Sequence, residues 1–239
     1  YSYYEDGSDS TFTTPFIWSE GYHIKFAFAD DLLYTKGSFG NTDYFLMPKG
    51  KNPAFGISRL LSEYGRLSLR GLTENDANFL NSSFRGMFEI KEDRDTAEYI
   101  YLTESLITLS GKKLHAKKNH LNKFFATYDY EYKEISKDNI NEAQAFVLSD
   151  CHSKAESIAM LRLFENWDKL DVCGAIIVID GKIKAATAGE RLNKNTALIH
   201  LEKADKEING VYAAINNLFA KNTFANTLYI NREEDMGIE

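Results

Sequence analysis

The sequence has few of the residues that stiffen or cross-link a chain. It holds 3 prolines and 2 cysteines in 239 residues, and it has no proline-rich or glycine- and serine-rich stretch that could serve as a flexible linker. Cys151 and Cys173 are too few for a disulfide framework or a cysteine-rich metal cluster. We therefore expect two free thiols in a reducing cytoplasm, no metal site, and folded units that are joined without a tether.

Long apolar runs are missing too. The longest, residues 175–179, is far shorter than the roughly 20 residues that span a bilayer, and its β-branched residues indicate a buried strand. No basic segment followed by an apolar one, as in a secretory signal, opens the sequence. The net charge of -7 argues against binding nucleic acid or anionic membrane through the whole surface, but it allows a local basic patch. These features predict a cytoplasmic protein with no membrane span.

The motifs of several large enzyme classes do not occur in the sequence. It has no Walker loop, no GxGxxG, no HExxH and no GxSxG. No spacing of cysteine and histidine suggests a zinc site or a nucleophile, and Cys173 falls on a predicted buried strand. Any catalysis must therefore come from other side chains.

What the sequence does contain is ordinary globular composition, with 44% hydrophobic, 26% charged and 13% aromatic residues. This suffices for one large domain or two modest ones. The periodicities predict strands, helix, strand, helix, strands and helix in the first half. In the second half they predict two helices, a three-stranded meander, a helix and a last strand. The two halves are loosely alike, which indicates a duplicated α+β unit.

Short local signals predict several turns and caps. Thr73 and Asp76 have the spacing of a capping box at a helix start. Asp180-Gly181 lies between two β-rich runs and predicts a tight hairpin, because that turn needs positive φ angles. Residues 66–69 are predicted to form a short strand.

The first group of candidate site residues lies on a helix predicted over residues 110–125. Residues 110–123 include five lysines and two histidines. An apolar stripe is expected to face the core, made of Leu114, Leu121, Phe124 and Phe125. A second stripe at i, i+3, i+4 and i+7 consists of His115, Lys118, Asn119 and Asn122. This stripe suits an anionic or polyhydroxyl ligand, phosphate included, although a charged run is also typical of a solvated helix face.

The second group lies at the end of the third strand of the meander. His200 and Glu202 are expected to share one face of that strand, since side chains alternate along it. Either could serve as a general base toward an amine, if its pKa lies near neutral. Glu190, at the end of the second strand, could lie opposite. An ion pair at a sheet edge would explain the same residues equally well.

The third group follows the last predicted strand and begins at Asn231 and Arg232, with Asp235 after them. Charged side chains beside a strand end are where open sheets place ligand contacts. Composition alone favours a frayed acidic terminus.

In this order, the three groups resemble the family of the phosphatidylglycerol lysyltransferase C-terminal domain, in particular its soluble, uncharacterised bacterial members. The matching segments begin at about residue 102 and are residues 109–124, 180–183, 187–190, 199–205, 212–216 and 229–237. The resemblance implies an α+β fold of two tandem acyl-CoA N-acyltransferase (GNAT)-like units, akin to Fem-type peptidyltransferases. Their mixed, mostly antiparallel sheets would be flanked by helices. The units would be residues 1–126, ending in the basic linking helix, and residues 127–239.

The resemblance also implies transfer of an aminoacyl group from aminoacyl-tRNA to an amine or hydroxyl acceptor, in a cleft between the units. We take Glu202 or His200 as the base. The expected substrate contacts near the strand ends are Glu190, Asn231, Arg232 and Asp235. The residues expected to meet phosphate or the tRNA acceptor end are Lys113, Lys117 and Lys118.

The sequence departs from the family pattern at several points. It lacks the membrane-embedded half of the lipid-modifying enzymes, and it stops at Glu239, where the family pattern continues, so we expect its end to be truncated. In place of the R/QxxGxG/A loop of acetyl-CoA enzymes it has only Asn209-Gly210, although a helix start still favours an anion. Acyl-CoA remains the other possible donor.

The alternative function is a non-catalytic module that binds a small anionic metabolite or a protein. An enzyme should have an open polar cavity that holds Glu190, Glu202 and Arg232 together, whereas a binding relic should fill that space with aromatic side chains. The sequence leaves the oligomeric state open.

Overall fold

The computed structural model describes residues 7–40 and 42–234. They fall into two compact units, a first unit of residues 7–97 and a second unit of Glu98–Glu234. The basic helix predicted over residues 110–125 packs within the second unit. The resemblance implies a different division, after residue 126, into two units of similar fold. That division does not depend on which residues form a compact unit, and it stays a prediction.

The first unit is a small antiparallel sheet packed on helices. Its elements are α1 (Thr13–Ile17), β1 (Lys25–Ala29), β2 (Leu32–Phe39), β3 (Thr42–Phe45), β4 (Lys49–Gly50), α2 (Pro53–Tyr64) and α3 (Glu74–Ser83). The strand order is β1-β2-β3, and β4 also pairs with β2. The Thr73 hydroxyl accepts from the Asp76 N–H and the Asp76 carboxylate accepts from the Thr73 N–H, which confirms the capping box at the start of α3.

The strand predicted over residues 66–69 does not form. Only Leu69 makes a bridge, to Phe45. Gly65 and Gly71 flank the segment with φ angles of 70° and 63°. These left-handed residues turn the chain at both ends, so the extended stretch is too short for a ladder.

The second unit is built on a larger sheet. Its elements are β5 (Glu98–Leu102), α4 (Thr103–Thr108), α5 (His115–Thr127), β6 (Tyr130–Glu134), α6 (Ile140–Ser149), α7 (Lys154–Glu165), β7 (Val172–Ile179), β8 (Lys182–Arg191), β9 (Thr196–Ala204), α8 (Val211–Asn222) and β10 (Tyr229–Glu234). Short 3₁₀ turns cover Ser8–Ser10, Arg94–Thr96, Lys112–Leu114 and Trp167–Lys169.

The sheet of the second unit has six strands in the order β5-β10-β9-β8-β7-β6. The β9–β10 pair is parallel and the other pairs are antiparallel. A parallel pair needs a crossover connection, and α8 supplies it. At the predicted hairpin, Asp180 and Gly181 have φ angles of 50° and 72°, as a type I′ turn requires. The structure thus confirms the α+β class with mostly antiparallel sheets flanked by helices.

The main core lies between this sheet and the helices α5 and α8. Leu121 and Phe124 of α5 pack with Ile215 and Phe219 of α8 over apolar residues of β7, β8 and β9. The buried Asn217 side chain donates hydrogen bonds of 2.7 Å to the carbonyl oxygens of Leu106 and Ile107, and so it joins α8 to the end of α4. The two long helices therefore lie side by side on one face of the sheet.

Helix α5 begins later than predicted, because Gly111 has a φ of 91° and a 3₁₀ turn follows it. Within the described ranges, no helix is both long and apolar enough to cross a bilayer.

Candidate functional site

The site begins with an irregularity in the middle of the sheet. Ala188 pairs with Leu201 and Gly189 pairs with Ile199, so His200 is an extra residue in β9, which makes a β-bulge. A Cβ on Gly189 would lie 2.4 Å from the carbonyl oxygen of Leu198. A glycine on β8 therefore permits the close strand approach at this point.

The bulge separates His200 from Glu202. Glu202 is the register partner of Thr187, while His200 Nε2 lies 2.9 Å from Glu190 Oε1. Thr187 and Glu190 are three residues apart on β8 and so point to opposite faces. The expectation that His200 and Glu202 share a face is therefore wrong, because the extra residue interrupts the alternation.

Glu202 points to the face that carries α8 and is held by two donors. Arg232 Nη2 donates to its Oε1 at 2.9 Å, and Asn216 Nδ2 donates to its Oε2 at 3.1 Å. Its side chain is only 6% exposed. Burial raises the pKa of Glu202 above the ordinary value, while Arg232, Asn216 and Lys117 oppose the shift. A carboxylate with a raised pKa is better matched to proton transfer near neutral pH.

A cavity of about 360 Å³ opens beside this carboxylate, within the second unit. It is lined by Leu109, Lys117, His120, Glu202, Gly210, Tyr212, Ala213, Asn216 and Arg232. The first turn of α8 forms part of the wall, and its N-cap residue Gly210 makes no side-chain capping bond. Backbone N–H groups at an uncapped helix start favour an anion.

The charge of the cavity points to the same kind of ligand. Lys117 and Arg232 contribute two cations and Glu202 contributes one carboxylate among the described lining residues. His120 Nδ1 lies 3.3 Å from Asn209 Oδ1 at the cavity rim. A ligand with a negative group would be complementary to this lining.

The structure brings together three of the residues chosen from the sequence: Glu202, Arg232 and Lys117. Glu190 and His200 form their buried pair on the other face of the sheet. Lys113 and the predicted stripe His115, Lys118, Asn119 and Asn122 are exposed on or just before α5, outside the cavity lining. Their roles stay predictions.

The two remaining candidates lie elsewhere. Asn231 is fully buried beside Arg232 on β10, and its Nδ2 donates to Glu98. Its Oδ1 has no hydrogen-bond partner in the part of the chain that the structure describes. Since neighbours on a strand point to opposite faces, Asn231 faces away from Glu202. Asp235 lies outside the described residues.

Sequence reasoning missed His120, Tyr212 and Asn216. A signal was present, because Lys117 and His120 have i, i+3 spacing, and Tyr212 and Asn216 have i, i+4 spacing, so that each pair shares a helix face. The stripe that begins at His115 is more polar, and this polarity marks the exposed side of α5.

No group of three His, Cys, Asp or Glu side chains is placed to hold a metal ion among the residues that the structure describes. Cys151 and Cys173 are free thiols. Burial, with smaller effects of Glu134 and Glu190, raises the pKa of Cys173 to about 11, which disfavours the nucleophilic thiolate at neutral pH.

Solved structures share this fold. A conserved protein of unknown function from Bacteroides thetaiotaomicron is 35% identical, with a TM-score of 0.89, over 100% of this chain and 85% of its own. The structure of L-PGS from Bacillus licheniformis is 17% identical, with a TM-score of 0.61, over 91% of this chain and 76% of its own. At 17% identity, the similarity to L-PGS shows only that the two proteins share a fold.

Comparison of sequences also finds relatives of this chain. An uncharacterised protein of Mycoplasmoides gallisepticum is 28% identical over 152 residues, which is 59% of this chain and 49% of that protein. The match thus spans about half the length of this curated relative. The sequence profile of the phosphatidylglycerol lysyltransferase C-terminal family matches residues 2–239. The predicted resemblance is confirmed, and the chain belongs to the family of the phosphatidylglycerol lysyltransferase C-terminal domain.

Proposed function

We propose that the protein is an acyltransferase that moves an aminoacyl group from aminoacyl-tRNA to an amine or hydroxyl acceptor. The observation that carries this proposal is the Glu202 carboxylate, which is buried at the wall of the cavity and held there by Arg232 and Asn216. Membership of a lysyltransferase family supports transfer of an amino acid in particular.

In the proposed reaction Glu202 acts as the general base. It takes a proton from the acceptor amine or hydroxyl, whose lone pair attacks the ester carbonyl carbon of the donor. A new amide or ester bond forms, and the ester bond to the ribose breaks. The ribose oxygen leaves as a hydroxyl once it receives a proton, which Glu202 can return. The remaining contribution is positioning of the two reactants.

The other cavity residues have supporting roles in this scheme. Arg232 and Asn216 hold the carboxylate in one orientation, and Arg232 favours its ionised form. Lys117, His120 and the first turn of α8 line the cavity, and in this scheme they bind a donor phosphate or the oxyanion of the attacked carbonyl. Such preorganised donors stabilise the charge that develops in the transition state.

The choice of tRNA over acyl-CoA rests on the basic helix. Four further lysines of this segment, Lys112, Lys113, Lys118 and Lys123, are exposed. An extended cationic surface suits a polyanionic chain better than a single cofactor. The absence of the R/QxxGxG/A loop of acetyl-CoA enzymes points the same way.

The test is transfer of a radiolabelled amino acid from a set of aminoacyl-tRNAs to a pool of amine and hydroxyl acceptors. Wild-type protein should form labelled product, and Glu202→Gln should reduce the rate about 10²- to 10⁴-fold, as expected for loss of a general base. Glu104→Gln, on the neighbouring helix α4 where the side chain is exposed, is the control and should keep the wild-type rate.

Two outcomes would refute the enzyme proposal. If Glu202→Gln transfers as fast as Glu104→Gln, Glu202 is not the base. If a donor stabilises the fold without any transfer, the protein is the binding module that the sequence left as the alternative. A donor at 100 times its Kd should raise the free energy of unfolding by about 2.7 kcal/mol.

A further inference from the structure

The edge strand β5 carries two tyrosines that lie next to each other on one face. The rings of Tyr99 and Tyr101 are stacked, with centroids 6.4 Å apart and an angle of 25° between their planes. Tyr99 is 41% exposed, whereas Tyr101 is partly buried against the core. An aromatic face is thus presented at the edge of the second unit.

Two cations of the cavity adjoin this aromatic pair. Tyr99 is the register partner of Arg232 on β10. Lys117 Nζ lies 5.9 Å from the centroid of the Tyr101 ring. Both cations line the cavity that holds Glu202, so the tyrosines lie beside its positively charged part.

Exposed aromatic rings next to cations are the combination that binds single-stranded nucleic acid. Bases stack on the rings whatever their identity, and the cations meet the backbone phosphates. A purely apolar partner would not use Lys117 and Arg232, and the exposed lysines of α5 continue the positive surface. The charge therefore favours a short stretch of RNA as the occupant.

We propose that Tyr99 and Tyr101 form a stacking platform for a base at the single-stranded 3′ end of a tRNA, with the adjoining phosphate at Lys117. This inference rests on the proposed function, since the platform would orient the terminal nucleotide that carries the aminoacyl ester. The platform is a binding subsite beside the cavity, separate from the base Glu202.

The experiment measures binding of a fluorescently labelled CCA trinucleotide and of a CCA-ended RNA hairpin by anisotropy. Tyr99→Ala should weaken both by about 5- to 150-fold, the range for loss of one stacked base. Tyr99→Phe keeps the ring and should restore the affinity to within about threefold of wild type, because stacking does not need the hydroxyl.

Tyr229→Ala is the matched control. Tyr229 is 40% exposed on the adjacent strand β10, but it pairs with Leu102, whereas Ile230 pairs with Tyr101. Tyr229 therefore lies on the opposite face of the same edge. We expect wild-type RNA affinity for this variant and a melting temperature close to that of Tyr99→Ala, since the two tyrosines are about equally exposed.

The outcomes separate the platform from the proposed function. If wild-type protein binds RNA and transfers the amino acid, but Tyr99→Ala binds as tightly as Tyr229→Ala, only the platform is overturned. If wild-type protein binds neither RNA, the platform and the tRNA donor both fail. If coenzyme A binds in a Tyr99-dependent way and displaces the trinucleotide while the hairpin does not bind, the RNA assignment is overturned.

Discussion

Arg232 donates a 2.9 Å hydrogen bond to Glu202, and this hydrogen bond joins two groups of residues that are separate in the sequence. Glu202 lies near the end of β9 and Arg232 on β10. The two strands are adjacent and parallel, because α8 carries the chain back along the sheet between them. The arginine favours the ionised carboxylate and opposes the effect of burial on its pKa.

Removal of this arginine should change how the reaction depends on pH. In Arg232→Ala the pKa of Glu202 should rise further, since an opposing cation is absent. A base acts when it is deprotonated, so the acidic limb of the kcat/KM profile should move to higher pH. At pH values below the shifted limb, the loss of a hydrogen bond to a charged group should lower kcat/KM by about 10- to 150-fold.

The control for this profile is Arg191→Ala, which removes an arginine that pairs with Asn226 on an exposed part of β8. Its acidic limb should coincide with that of the wild type. An unshifted limb in Arg232→Ala would show that Glu202 does not set the profile.

Glu202→Gln should become more stable relative to wild type as the pH rises. Because burial raises the pKa of Glu202 above the ordinary 4.5, folding favours its protonated form. That contribution is fully present below pH 4.5 and is lost as the pH rises through the raised pKa. Glutamine does not titrate, and the partly exposed Arg232 can be hydrated in the variant.

The measurement is urea unfolding of both proteins between pH 4 and pH 8, where about equal m-values would show that the unfolding transition is comparable. A difference in unfolding free energy that does not change with pH would contradict the raised pKa.

Charge reversal at Lys117 should weaken RNA binding and should make that binding less dependent on the salt concentration. Lys117 lines the cavity and lies over the Tyr101 ring. For each phosphate of a single strand that the protein no longer neutralises, the slope of log K against log salt should fall by about 0.7. Lys194→Glu introduces the same charge change in the exposed turn before β9, at the far end of that strand from Glu202. If the two variants have equal slopes of log K against log salt, Lys117 is not part of the RNA-binding surface.

His200 should matter for stability and His120 for binding. His200→Ala leaves the buried Glu190 carboxylate without this hydrogen bond, and it should lower the free energy of unfolding by about 3 kcal/mol. His120 is exposed at the cavity, so His120→Ala should change stability by less than about 0.5 kcal/mol while weakening RNA binding.

Chemical denaturation and RNA anisotropy on both histidine variants test this contrast. A folded His200→Ala protein that binds RNA normally yet transfers amino acid about 100-fold more slowly would return His200 to the candidate bases.

Local patterns made much of the fold predictable. The Thr73–Asp76 capping box and the Asp180-Gly181 turn depend on residues within four positions of one another, so the sequence contains all of the information. The α+β class followed from the order of periodic segments. Residues 66–69 failed as a strand because their extended preference was overruled by the glycine turns on each side.

The sequence by itself determined the family, the hairpin and the start of α3, and it identified Glu202, Arg232 and Lys117 as candidate site residues. Only the tertiary structure decided how these residues meet. The register between β8 and β9 placed His200 in a bulge and turned it toward Glu190. Packing of Leu121 and Phe124 against α8 determined that Lys117 and His120, rather than the His115 stripe, line the cavity. Both decisions depend on partners far away in the chain, and a pattern read along one strand or one helix does not contain them.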